Sequence, residues 1–209
     1  STALRANSSI LPTFARSSPR SIHGIPLAHF ILHTNHTHIY LCPAREVAMP
    51  ILKRLQSYLD TNKIPYEVVY HPTVYTAHDV AQTLDVPGKL VAKVVMVKAD
   101  SYFVMTVLPS TWRVDLTRLQ DVLEARDVRL ATEAEIANLF PDCQVGTMPP
   151  FGNLYGVEVY VDQLLTEDES IVFEAGTYVG AMKLRYKDFA DLVRPKIAAF
   201  HHEPSKIES

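Results

Sequence analysis

Lys93 opens the apolar run Val91-Ala92-Lys93-Val94-Val95-Met96-Val97. An ammonium there is costly unless its charge has a partner or its stem lets the head reach water. Strand geometry puts Val91, Val95 and Val97 on the face of Lys93, and Ala92, Val94 and Met96 on the other. A lysine among valines is therefore either a packed strand-end residue or a group reserved for a substrate. Gly146-Thr147-Met148-Pro149-Pro150-Phe151-Gly152 is the second such feature. Glycine permits close approach and two prolines stiffen the loop, so backbone N–H groups could be held against a carbonyl. The same composition also serves an ordinary turn. Taken together, the two features suggest a site for an acyl group.

Other candidates are weaker. Cys143 lies three residues before Gly146, but no histidine nearby in sequence offers a base, so it reads as a small residue filling space. His71 reads as a strand exit, His78 as a first-turn helix residue and Asp162 as a cap.

The order and spacing of Lys93, Gly146, Pro150, Phe151, Gly152 and Gly176 resemble the YbaK family. These are aminoacyl-tRNA deacylases related to the editing insertion domain of bacterial prolyl-tRNA synthetases. The resemblance runs from about Met49 to about Arg194 and includes Val107-Leu108-Pro109, Tyr160-Val161-Asp162 and Phe173-Glu174-Ala175-Gly176. It implies that Lys93 and Gly146 are catalytic. It also implies that Thr147, Met148, Pro149, Pro150, Phe151, Gly152 and Gly176 shape the substrate site. Editing-type members often place a histidine beside the Ala-Gly pair, where this chain has Thr177 and Tyr178. A hydroxyl at Tyr178 would then stand where an imidazole is expected.

The implied activity is a free-standing trans-editing hydrolase that cleaves the ester of mischarged aminoacyl-tRNA without metal or organic cofactor. Its partners would be the aminoacylated 3′ end and an aminoacyl-tRNA synthetase, with no membrane or DNA involved. The alternative is a non-catalytic binding module of the same fold.

Composition sets limits on that reading. A chain of 209 residues, 47% hydrophobic and 21% charged, suits one globular domain with a tail. Two cysteines, Cys42 and Cys143, make no disulfide framework and suggest a reducing cytoplasm. Residues 49–209 carry 16 Lys+Arg against 22 Asp+Glu, a net of −6. A general nucleic-acid binder is thereby excluded, and weak, salt-sensitive contact with little beyond the 3′ end is expected. Residues 1–48 are Ser-rich, carry Arg5, Arg16, Arg20 and Arg45, and are broken by four prolines. They read as an upstream or appended extension rather than a targeting signal. His33, His36 and His38 within them lack the scaffold a zinc site requires.

From Met49 the periodicity becomes regular. Ile51, Leu52, Leu55, Tyr58 and Leu59 predict a helix stopping at Asn62, and Tyr66–Tyr70 a strand. Thr76–Leu84 predicts a second helix, and Leu90–Lys98 with Tyr102–Leu108 a hairpin in the middle of a sheet. Helices follow at Asp115–Ala125 and from Thr132, where Thr132 and Glu135 have capping-box spacing. Strands at Val157–Val161, Ile171–Glu174 and Ala181–Tyr186 precede a last helix, Lys187–Val193. The expected class is α+β, with a mixed, largely antiparallel sheet curled against helices.

Overall fold

The computed structural model describes residues 52–202, which belong to the unit Ala48–Ser209. The expectations for residues 1–48 lie outside the described residues.

The elements in chain order are α1 (Lys53–Thr61), β1 (Glu67–Tyr70), α2 (Ala77–Thr83), a 3-10 turn (Gly88–Leu90), β2 (Ala92–Ala99) and β3 (Tyr102–Pro109). Next come β4 (Arg113–Val114), α3 (Leu116–Leu123), β5 (Val128–Leu130), α4 (Glu133–Leu139) and β6 (Glu158–Asp162). The chain then forms β7 (Ser170–Thr177), β8 (Gly180–Arg185), α5 (Tyr186–Val193), β9 (Lys196–Ala198) and β10 (His201–His202).

Local chemistry sets the helix starts. Thr76 accepts from the Asp79 N–H at α2, and Asp115 accepts from Thr117 and Arg118 at α3. At α4, Thr132 and Glu135 form the expected reciprocal capping box. α1 has no side-chain cap; it is held by burying Leu55 and Leu59, each contributing roughly 1.5–3 kcal/mol.

The strands form two sheets and one small ladder. β2 and β3 pair antiparallel, with Lys93 opposite Leu108, and lie inside the order β5-β2-β3-β6-β9. β6 joins β3 in parallel, since the chain crosses back through α3, β5 and α4, and β9 joins β6 in parallel. The second sheet, β1-β8-β7, is wholly antiparallel, as is the β4–β10 pair. A parallel bridge between Val91 and Val172 links the two sheets.

The alternation along β2 separates two cores. Met96 packs with Met105, Phe151, Phe173 and Phe189 between the sheets, whereas Val97 packs with Leu108, Leu119 and Phe200 beneath α3. A third cluster joins Val80 and Ala81 of α2 to Val91, Val172 and Ala181. The α+β class and the mixed, largely antiparallel pairing are as expected. β4, β5, β9 and β10 were not foreseen. Each has two or three residues, too few to show a period, and exists because a neighbouring strand edge needs partners.

Candidate active site

Lys93 lies one residue into β2, directly after the 3-10 turn. It is half-buried, and its Nζ donates to the Ser110 carbonyl at 3.3 Å. Burial, and then the positive charge of Arg113, hold its pKa below the ordinary lysine value. Among the described residues no carboxylate pairs with it, so its charge is answered only by a carbonyl.

The loop after α4 is fixed from several sides. Thr147 is fully buried; its N–H and hydroxyl both donate to the Gln144 carbonyl, and its own carbonyl accepts from the Gly176 N–H at 2.9 Å. The Gly176 carbonyl accepts from Gln144, and the Tyr178 N–H donates to the Gln144 side chain at 2.8 Å. Tyr178 closes the loop by donating its hydroxyl to the Val145 carbonyl at 2.7 Å. Gly146 adopts φ +94°, a backbone state L side chains avoid, although a Cβ there would meet nothing within 4 Å. At Gly176, φ is +96° and a Cβ would press on Leu52 at 3.1 Å.

These bonds narrow what the loop can do. Pro149 and Pro150 have no N–H, and the Thr147 and Phe151 N–H groups are occupied. The Gly146 N–H faces the Met148 Sδ, a weak acceptor that a carbonyl oxygen would displace. The Met148 N–H has no partner among the described residues. The Gly152 N–H likewise has no partner there, so beside the weakly engaged Gly146 N–H the loop keeps two unpartnered backbone donors, those of Met148 and Gly152.

The structure gathers Gly146–Gly152, Gly176 and Tyr178 into one cluster and leaves Lys93 on β2, where its Nζ meets the Ser110 carbonyl and is repelled by the charge of Arg113. Phe151 is fully buried against Tyr58, Phe173 and Phe189, and Gly152 is packed so tightly that a Cβ would meet the Val157 carbonyl oxygen at 2.6 Å. Both anchor the loop in the core. Met148 is also buried in that core, and Pro149 and Pro150 are buried beside it. Tyr178 has its hydroxyl engaged by Val145, so it braces the loop instead of presenting a free group. Exposed Tyr75 packs edge-on against it, ring centres 5.0 Å apart.

Cys143 is half-buried beside the Tyr155 hydroxyl, and burial raises its pKa, the reverse of what a thiolate nucleophile requires. Asp162 is fully buried and accepts from Leu164 N–H, Phe200 N–H and His201 Nδ1. It is a cap, as expected, and also fastens β10.

Sequence reasoning missed Glu174. It is buried in β7, its Oε1 has no partner, and burial followed by the charge of Asp79 lifts its pKa to about 7. The signal was the one that selected Lys93: a charge within the apolar run Ile171-Val172-Phe173-Glu174-Ala175. Val91 bridges Val172, so Lys93 and Glu174 each stand two residues past the point where β2 and β7 meet.

Residues 71–192 match the family model of the aminoacyl-tRNA editing domain, a stretch that holds every one of these site residues. The chain belongs to the aminoacyl-tRNA editing domain family. Among curated relatives, the proline–tRNA ligase of Sulfurihydrogenibium sp. (strain YO3AOP1) is 34% identical over 113 residues, covering 53% of this chain and 19% of that enzyme. The proline–tRNA ligase of Bacillus subtilis (strain 168) is 34% identical over 101 residues, 46% of this chain and 17% of the ligase. The editing domain thus spans about a fifth of the length of these relatives. Among solved structures, a candidate trans-editing enzyme for prolyl tRNA synthetase superimposes with a TM-score of 0.65 at 21% identity, covering 72% of this chain and 96% of the other. A candidate signal transduction protein from Marinobacter aquaeolei gives 0.58 at 19% identity, over 76% of this chain and 32% of that one. At these identities the structural matches establish the fold alone. Among the described residues no helix is long and apolar enough to cross a membrane, and no group of three or more potential metal ligands occurs.

Proposed function

We propose that this editing domain is a trans-acting hydrolase that cleaves the ester joining a mischarged amino acid to the 3′-terminal adenosine of tRNA. The observation that carries the reading is the Gly146 loop, tied to Gly176 and keeping unpartnered backbone donors, in a domain whose β2 bears a half-buried lysine without a carboxylate partner. An aminoacyl ester is already activated. Water adds to its carbonyl carbon and gives up a proton, negative charge collects on the carbonyl oxygen, and as the intermediate collapses the acyl C–O bond breaks and the ribose oxygen leaves with a proton as its hydroxyl. Donors aimed at that oxygen, and an ammonium nearby, lower the barrier by stabilising charge that exists only after attack. Burial leaves the Lys93 ammonium poorly hydrated, which strengthens its action on a developing anion.

The same reading extends to location and partners. The domain would work in the cytoplasm, grip only the acylated 3′ end and require no metal or organic cofactor. Its net charge of −6 over residues 49–209 supports a brief encounter, with an aminoacyl-tRNA synthetase as a second partner. Tyr178 favours a second reading, a binding module without turnover, because its hydroxyl is engaged by Val145 and no histidine takes its place. Incubation with a panel of aminoacyl-tRNAs separates the two. Loss of ester from a subset of the panel, at enzyme concentrations well below substrate, is expected. Stoichiometric binding with every ester intact would replace hydrolysis with the module.

A further inference from the structure

Glu174 is a buried carboxyl with an unpartnered oxygen, and the hydrolysis outlined above does not use it. It is 7% exposed, and its Oε1 is buried with no hydrogen-bond partner. Its register partner on β8 is Ala181, which packs with Val172 against α2. α2 carries no lysine or arginine. It offers Asp79, whose charge acts on Glu174 with the same sign. Among the described residues neither carboxylate has an ion-pair partner. An unpaired buried acceptor costs about 1–3 kcal/mol, and more when charged, so it persists where function requires it.

Its position indicates that requirement. Along β7 it lies between the Val91–Val172 bridge, where the strand carrying Lys93 departs, and Gly176, whose N–H holds the loop through Thr147. We propose that Glu174, with Asp79, is the receptor for the α-ammonium group of the aminoacyl ester, so that the site selects substrates whose amine is unblocked. The proposal rests on the editing reading of the neighbouring loop. An ammonium supplies the N–H donor that Oε1 lacks and the positive charge that two like-charged carboxylates lack. A hydroxyl or thiol on the amino-acid side chain would supply only the first. Among the described residues no group of three or more potential metal ligands occurs here or elsewhere. Every aminoacyl ester carries this ammonium next to the carbonyl under attack, whereas a peptidyl or N-acylated ester does not.

The test uses the full chain and two non-hydrolysable probes, 3′-alanylamino-3′-deoxyadenosine and its N-acetyl derivative, titrated by calorimetry. The wild type should bind the free amine at least about tenfold more tightly than the acetylated probe. Glu174→Gln should bring that ratio near one by weakening the free-amine probe alone, and Asp79→Asn should narrow it in the same direction. Equal binding of both probes by the wild type, no binding of either, or an undiminished preference in Glu174→Gln would each overturn the receptor. Deacylation of alanyl-tRNA and N-acetylalanyl-tRNA, run in parallel, tells the two readings apart. Amine preference without ester loss retains the receptor and removes the hydrolase, while rapid loss of both esters alike does the reverse.

Discussion

Replacing Glu174 with Gln should stabilise the protein at alkaline pH and not at acidic pH. The carboxyl has an ordinary value of 4.5 and is held at about 7 in the fold, first by burial and then by Asp79. Below 4.5 both folded and unfolded chains are protonated at this residue, and it has no linkage effect on stability. As pH rises toward 7 the unfolded chain releases the proton while the folded chain retains it, so stability falls. Above 7 the penalty is complete. Each tenfold difference in proton affinity is worth about 1.4 kcal/mol, which makes the full penalty about 3 kcal/mol. Glutamine does not titrate, and the cost of its own unpaired amide is the same at every pH. The readout is therefore the change in the mutant-minus-wild-type difference between pH 4 and pH 8.5, by urea unfolding. At about 2–4 °C per kcal/mol for a domain of this size, the melting-temperature difference should widen by roughly 6–12 °C over that range. Carboxylates that do not interact with Glu174 titrate equally in both proteins and cancel. A difference independent of pH would refute the claim that Glu174 is buried, charged and unpaired.

Lys93→Ala should lower the single-turnover deacylation rate by about 10²–10³, the scale for one preorganised electrostatic donor. Because burial and Arg113 disfavour its charge, thermal melting should show no loss of stability in that variant; a wild-type rate would end the proposed mechanism. Gly146→Ala should cost about 1–2 kcal/mol by urea denaturation through its positive φ rather than through a clash, and should reduce deacylation or alter which amino acid is removed. Unchanged turnover and selectivity would return the loop to an ordinary turn. Tyr178→Phe, which deletes the bond to Val145, should destabilise by about 1 kcal/mol and lower the rate by loosening the loop. A variant with faster turnover would contradict a bracing role.

The helices and the central hairpin were legible because their signals are local. Asp115, Thr132 and Glu135 announce their caps, and the two faces of β2 follow from a period of two. β9 was not legible, since Lys196-Ile197-Ala198 becomes a strand only because the edge of β6 lies beside it. At the site, glycine and proline content identified the loop, but the sequence did not reveal which donors remain free. That depends on Gln144, whose carbonyl and side chain tie down Thr147 and Tyr178 from outside the motif. Phe151 fits the motif as well as Gly146 does, yet its ring is fully buried, a distinction that only packing reveals. Glu174 was overlooked beside a conspicuous Ala-Gly pair, although its physical signature equals that of Lys93.

The parallel pairing of β9 with β6, and the fastening of Phe200 and His201 to Asp162, affect how the protein emerges from the ribosome. β6 cannot acquire its outer neighbour, nor Asp162 all three of its donors, until residue 201 has left the exit tunnel. At about 5–20 residues per second, the roughly 40 residues from Asp162 to His201 take several seconds to synthesise. Throughout that interval β6 presents a bare edge and a buried-to-be carboxylate remains hydrated, so the sheet closes late in synthesis, and a stall before residue 201 would expose an edge open to association.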